Sequence, residues 1–390
     1  VTGQVHSGQE PWAGALLAGA REQIIDAGPV RLRPFRPSDI DDVTAACADP
    51  LTQRSLPALP SPYTRQDATW WVTEGAAAAR LAGGAAYAVV DPVTDRLLGC
   101  AGLARVSAER GQAEVGYWVA PWARGRGVAT AAARALSDWA FARGFVRLEL
   151  LTSWENTISQ RVALAVGFQR EGVRRNALGR RDGSRYDAVA YSRLAEDPPG
   201  PVPRALPDLP AGGLSDGVVT LRGLLARDAD FLYTLHVLPD VVATSVPPVA
   251  PDREEIELRC ARSAARWLAG ERADLVIVDT ATGTAAGEIG LYYQEPQTGQ
   301  AMIGYCMLPP WRGRGYVTRA ALLVARWAFT EIGIARLIAG TKPDNVSSQR
   351  VLERAGFQRE GYLRDRLPWV NGGRLDDVLY ALLPRDLPSP

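Results

Sequence analysis

Lysine is all but missing from this chain: of 44 basic side chains in 390 residues, only Lys342 is a lysine. A phosphate loop of the G-x-x-x-x-G-K-[ST] type has no place to form, because Thr341-Lys342-Pro343 cannot supply it. Histidine is nearly as rare. His6 lies in a polar N-terminal stretch and His236 follows a helical run, so a histidine-based triad has one candidate member. The four cysteines, Cys47, Cys100, Cys260 and Cys306, stand singly, with no C-x-x-C spacing and no neighbouring histidine pair. This scatter argues against a structural zinc site or a disulfide framework. Buried reduced thiols and no metal are the expectation.

Charge and hydropathy exclude further classes. Acidic residues number 43 and the formal net charge is +1, so there is no positive excess of the kind that nucleic acids and anionic membranes attract. No apolar run approaches the roughly 18 residues that a membrane span needs, and the first ten residues are polar. The expectation is a protein of a reducing cytoplasm, with neither nucleic acid nor membrane as partner. Length together with a hydrophobic content of 47% allows two or three domains with real cores.

What the chain does have is a long internal repeat. Gly116-Tyr117, Pro121 and Arg124-Gly125-Arg126-Gly127 recur as Gly304-Tyr305, Pro309 and Arg312-Gly313-Arg314-Gly315, at an offset of 188. One residue is then gained. Asn156, Ser159-Gln160-Arg161-Val162 and Gly167-Phe168-Gln169-Arg170-Glu171-Gly172 match Asn345, Ser348-Gln349-Arg350-Val351 and Gly356-Phe357-Gln358-Arg359-Glu360-Gly361. So long a period means duplicated domains. We read residues 1–29 as an extension with a helix over 11–27, 30–194 and 218–383 as the two domains, 195–217 as a Pro/Gly-rich linker and 384–390 as a tail. The linker's Gly213-x-Ser215-x-Gly217 fits a hydrolase elbow in letters only, since prolines and not a strand precede it.

Each half alternates helix and strand signals. In the first, strands are expected at 30–35, 85–91, 97–106, 112–119, 147–152, 168–178 and 185–193, and helices at 37–48, 64–81, 130–143 and 158–166. The strand at 112–119 runs into a turn with Gly125 and Gly127 that opens a helix. Such a turn exposes unpaired backbone N–H groups at the positive end of the helix dipole, a cradle for pyrophosphate. Its occurrence twice, each time after Gly-Tyr on a strand, makes it a strong signal.

With these residues the chain resembles two copies of the GNAT superfamily of acyl-CoA-dependent N-acyltransferases. The family's [QR]-x-x-G-x-[GA] motif is met by Arg124, Gly127 and Ala129, whereas the second copy has Arg312 and Gly315 but Val317 in the last place. The N-x-x-S and G-F blocks bring the resemblance closest to the type that acetylates ribosomal-protein N-termini. It implies an α/β fold of two tandem domains, each a mixed, mostly antiparallel twisted sheet flanked by helices.

The resemblance also implies roles. Acetyl-CoA or another acyl-CoA would be the co-substrate, its pyrophosphate on Arg124, Gly125, Arg126, Gly127, Val128 and Ala129, its pantetheine along Trp118 and Val119 and against Asn156 and Ser159. The matching positions of the second copy are Met307, Arg312, Gly313, Arg314, Gly315, Tyr316, Val317, Asn345 and Ser348. Glu114 stands where family members often carry a general base; Met302 replaces it in the second copy, where Glu288 on the preceding strand is the substitute. If the turn lies around residues 295–299, Glu288 falls opposite Cys306. The position of the usual acid tyrosine holds Ala163 and Leu352, leaving Ser159, Ser348 or the departing thiolate to serve. The acceptor would be an amine of a small molecule or a peptide, shaped by the proline-rich loops 49–64 and 239–252. Two other readings stand beside this one: a donor carried by an acyl carrier protein, and a CoA-binding regulator or scaffold with one or both copies silent.

Overall fold

The computed structural model describes residues 23–81 and 84–388. It divides into two units, Val1–Pro203 and Arg204–Pro390. The first contains one eight-stranded sheet: β1 (Ile25–Asp26), β2 (Arg31–Arg33), β3 (Ala85–Val90), β4 (Leu97–Ser107), β5 (Gln112–Val119), β6 (Arg147–Thr152), β7 (Gln169–Gly179) and β8 (Arg185–Leu194). Their order across the sheet is β1-β2-β3-β4-β5-β6-β8-β7. All neighbours run antiparallel except β5 and β6. The helices are α1 (Ile40–Ala48), α2 (Pro50–Ser55), α3 (Arg65–Trp70), α4 (Ala76–Leu81), α5 (Val128–Phe141) and α6 (Thr157–Val166).

The second unit repeats this order. Its strands are β9 (Leu214–Ser215), β10 (Val219–Gly223), β11 (Arg272–Asp279), β12 (Ala285–Glu295), β13 (Gln300–Met307), β14 (Arg336–Thr341), β15 (Gln358–Pro368) and β16 (Arg374–Leu382). Its helices are α7 (Ala229–His236), α8 (Pro239–Thr244), α9 (Arg253–Leu268), α10 (Tyr316–Trp327) and α11 (Val346–Arg354). Here β13 and β14 are the parallel pair.

Local chemistry accounts for these elements. The run Ala85–Val90 is apolar at every position and buried throughout, as expected of a central strand covered on both faces. Arg147–Thr152 alternates instead and buries every second residue. Helix α6 begins at Asn156, whose Oδ1 accepts the Ser159 N–H at 3.2 Å, and stops at Gly167, left-handed at φ 99°. In each unit an arginine clamps the buried aspartate that opens the first helix: the buried Arg33 to Asp39 at 2.8 and 2.9 Å, the half-buried Arg222 to Asp228 at 2.7 and 2.7 Å.

Several sequence expectations need correction. The expected helix over 11–27 lies largely outside the described residues, and its end is strand β1, paired with β2. Within the expected linker, Leu214–Ser215 pairs with β10, so Ser215 belongs to a strand edge and its hydroxyl meets Thr220 Oγ1 at 2.9 Å. The proline-rich loops contain helices α2 and α8. Asp49 caps the first of them by accepting the Thr52 N–H at 2.9 Å, and Pro50 occupies its first position, where a missing N–H costs nothing. The helix expected over 64–81 is interrupted by a π turn at Trp71–Gly75.

Candidate active site

Both sheets fork. The ladder between β5 and β6 covers only residues 112–114 against 147–149, and the ladder between β13 and β14 only 300–302 against 336–338. Strand β6 keeps its pairing with β8 along its whole length and so turns away from β5. From residue 115 to 119 the edge of β5 facing β6 is left unladdered, a row of peptide groups to which an extended chain can add.

At the far end of β5 the turn places Gly125 at φ 74° and Gly127 at φ 73°, with Gly127 as the N-cap of α5. Gly313 (73°) and Gly315 (77°) do the same before α10. A Cβ on any of these four would meet nothing within 4 Å. They are glycines for their left-handed backbone and for the open space in front of the helix N-terminus, not for close packing. Val128 and Ala129, or Tyr316 and Val317, form the first turn whose N–H groups lack intrahelical acceptors. Tyr316 turns its ring into the core and donates its hydroxyl to Asp279 Oδ1.

The arginines of the motif divide the work. Arg124 binds the Asp49 carboxylate and Thr52 Oγ1 (2.8 Å), tying the turn to the start of α2 and holding Asp49 below the ordinary carboxylate range. Arg312 likewise pairs with Asp240 of α8, and its Nε donates to the Met307 carbonyl at 2.9 Å. Arg126 and Arg314 are exposed beside the turn, the latter stacked 5.1 Å over the Trp311 ring. Trp118, near the end of β5, packs on a cluster that includes Val43, Cys47 and Tyr63. In the second unit Met307, at Val119's place, is buried in the main core. A cleft of about 480 Å³ opens beside α2, lined by Pro50, Gln53, Arg54, Pro62, Tyr63 and Arg181 among others.

Glu114 sits in the crotch of the fork, the last β5 residue in register with β6, opposite Glu149. Its Oε2 accepts from Arg105 Nη1 at 2.7 Å. Arg105 reaches it from a bulge in β4, at φ 48°. Burial pushes the Glu114 carboxyl above its ordinary value, and the Arg105 charge only partly opposes this. Glu149 goes the other way: the hydrogen bond from Arg174, with Arg147 assisting, holds it low against its own burial. The two carboxyls in register at the fork therefore differ in protonation tendency.

Ser159 and Ser348 occupy matched places at the start of α6 and α11, their Oγ atoms 3.0 Å from Tyr117 Oη and 2.9 Å from Tyr305 Oη. Burial pushes both tyrosine hydroxyls up, Tyr305 to about 12. In the sequence these tyrosines stand out only as markers of the repeat. The signal was there, because they recur in step with the serines they touch.

The second unit differs at the fork. Met302 takes Glu114's place, while β12–β13 register sets Glu288 against Cys306, as the expected turn required. Glu288 is 8% exposed. It lies 2.9 Å from His236 Nε2, the last residue of α7, and receives Arg259 Nη2 at 3.0 Å. Burial would raise its carboxyl, but the Arg259 charge and the His236 hydrogen bond outweigh that and hold it at about 2. So low a value makes a weak base.

The GNAT acetyltransferase domain model matches residues 30–169 and again 219–358. The chain is similar to the Bacillus subtilis (strain 168) protein named "Probable N-acetyltransferase YjcK", 41% identical over 86 residues, 22% of this chain and 47% of that protein. It is also similar to the [ribosomal protein uS5]-alanine N-acetyltransferase of Escherichia coli (strain K12), 34% identical over 84 residues, 22% of this chain and 43% of that enzyme. It thus spans about half the length of these curated relatives. Among solved structures, Mycobacterium smegmatis RimJ in complex with CoA-disulfide aligns at 25% identity and a TM-score of 0.39, over 47% of this chain and 87% of that one. With two matched copies accounting for most of its length, the chain belongs to the GNAT acetyltransferase domain family, in tandem form.

Proposed function

We propose that the protein transfers an acyl group, acetyl in the first instance, from acyl-CoA to a primary amine, and that the N-terminal domain does the chemistry. The observation that carries this reading is the fork of β5 and β6, with a raised carboxyl in its crotch and a glycine-capped helix at its open end. The donor supplies an activated thioester. The α5 N-terminus with Gly125 and Gly127 holds its pyrophosphate, and the free edge at 115–119 aligns its arm. Glu114, directly or through water, takes the proton from the acceptor ammonium, leaving the nitrogen lone pair to form the amide bond as the carbon–sulfur bond breaks. The Tyr117–Ser159 hydroxyl pair gives a proton to the departing sulfur and regains one by way of solvent from the second N–H proton that the nitrogen sheds as the amide forms.

The acceptor is an amine of a small molecule or a peptide N-terminus, and the cleft beside α2 is its candidate seat. Acceptors of the ribosomal-protein kind are favoured by the E. coli relative's printed activity. The deciding experiment is acetyl-CoA consumption over a panel of amines and N-terminal peptides, with the acetylated product identified by mass. Turnover with at least one amine is expected. A protein that neither binds CoA nor acetylates any of them would end the proposal.

A further inference from the structure

The two domains differ in chemistry where α1 in one and α7 in the other meet the sheet. In the first domain the last turn of α1 brings Cys47, β4 brings Cys100, and β5 brings Trp118 in register with it. Burial pushes both thiols up to about 12, and the setting is apolar. The same places in the second domain hold His236, Glu288 and Cys306, and Arg259 and Asp274 stand where the first has Trp71 and Ala86.

We infer that His236 Nε2, Glu288 Oε1 and Cys306 Sγ are three ligands of a site for a zinc-type divalent cation. Their separations are 2.9 Å from His236 to Glu288, 3.8 Å from Cys306 to Glu288 and 4.0 Å from Cys306 to His236. Metal–ligand distances of about 2.0–2.3 Å in a tetrahedron give triangle edges of about 3.3–3.6 Å. The observed triangle needs shifts of only about half an ångström per edge to reach them. A nitrogen, a carboxylate oxygen and a thiolate suit zinc, and three protein ligands leave one position for solvent or substrate. Coordination releases the Cys306 thiol proton to solvent.

Arg259 is the obvious competitor, with Nη1 3.2 Å from His236 Nε2. It has a second anchor: Nη2 donates to Asp274 Oδ1 at 2.8 Å, an oxygen that also receives Arg272, and Asp274 is 1% exposed. The same Nη2 reaches Glu288 Oε2 at 3.0 Å, the oxygen that would not face the metal, and the ligand oxygen Oε1 at a longer 3.3 Å, a contact that the metal would replace. A ligand carboxylate hydrogen-bonded through its second oxygen is the arrangement that outer partners of metal sites commonly adopt. With Cys306 ionised, two ligand anions balance the cation, while Asp274 is shared by Arg259 and Arg272. No sequence motif announces the set, because its members lie 52 and 18 residues apart and meet only through helix packing and strand register.

Titration of the metal-stripped full chain with Co²⁺, followed by the thiolate-to-cobalt charge-transfer band and by competition with Zn²⁺, tests the site without any turnover. It therefore stands apart from the acetyl-transfer proposal. One equivalent per chain with a thiolate band is expected. Cys306→Ser should abolish the band, His236→Gln should remove the stoichiometric binding, and Arg259→Gln should weaken it by about 10–100-fold. Circular dichroism would check that each variant is folded. A wild-type chain with no thiolate band, or one whose binding is unchanged by Cys306→Ser, would overturn the inference.

Discussion

Replacing Gly127 by alanine separates a binding cradle from a mere turn. Gly127 is left-handed at φ 73°, a conformation that costs an L-residue about 1–2 kcal/mol. The added methyl meets nothing within 4 Å, so no clash enlarges that cost. If the turn keeps its shape, the strain appears as lost stability, roughly 2–4 °C of Tm per kcal/mol for a domain of this size. If the turn relaxes, the ligand must restore it, and CoA affinity falls by the same 1–2 kcal/mol, about 5–30-fold. The methyl also stands in front of the α5 N-terminus, so affinity falls in either case. Gly183→Ala is the control, at φ 84°, equally open and in a turn between β7 and β8. It should lower Tm alone. Calorimetry with CoA, in a Gly315→Val background so that one cradle is read, distinguishes the two. Equal effects of Gly127→Ala and Gly183→Ala on CoA affinity would refute the assignment.

Three further outcomes are expected. Arg105→Gln removes the cation that lowers Glu114, so the carboxyl becomes harder to ionise and the acid limb of the kcat/KM profile moves to higher pH. An unmoved limb would mean that Glu114 does not govern it. Asp39→Ala removes the buried carboxylate from Arg33 but leaves Asp95 on its Nε at 2.8 Å, so urea unfolding should show a loss below the roughly 3–5 kcal/mol of a fully unpaired buried charge, a loss that Asp95→Ala in the same chain then brings up to that range. Tyr117→Phe removes the Ser159 hydroxyl contact and should cost about 1 kcal/mol in the same measurement, with a lower kcat if the pair returns the proton to sulfur.

Much of this was legible in the sequence because it is local or repeated. Strand alternation, helix caps and the paired glycine turns are decided within a few residues, and the 188-residue offset ensured that each was seen twice. Even the Glu288–Cys306 register followed from locating one turn. What escaped depends on distant parts of the chain. Asp49 and Arg124 are 75 residues apart, and nothing near either announces the other. The same holds for His236, which reaches β12 only because α7 packs across the sheet. Helix α2 was hidden for a different reason. Its Asp49-Pro50 start is a readable helix signal, but the prolines after it drew attention to the loop.

The most direct test of the account is the turnover of Glu114→Gln beside Glu288→Gln, with acetyl-CoA and an amine that the wild type accepts. A positioned base contributes about 10²–10⁴-fold. Glu114→Gln should lower kcat by that order near neutral pH, with CoA affinity nearly unchanged and the deficit shrinking as pH rises and more of the acceptor amine is already neutral. Unimpaired turnover in Glu114→Gln, together with its loss in Glu288→Gln, would move the chemistry to the C-terminal domain and contradict the account.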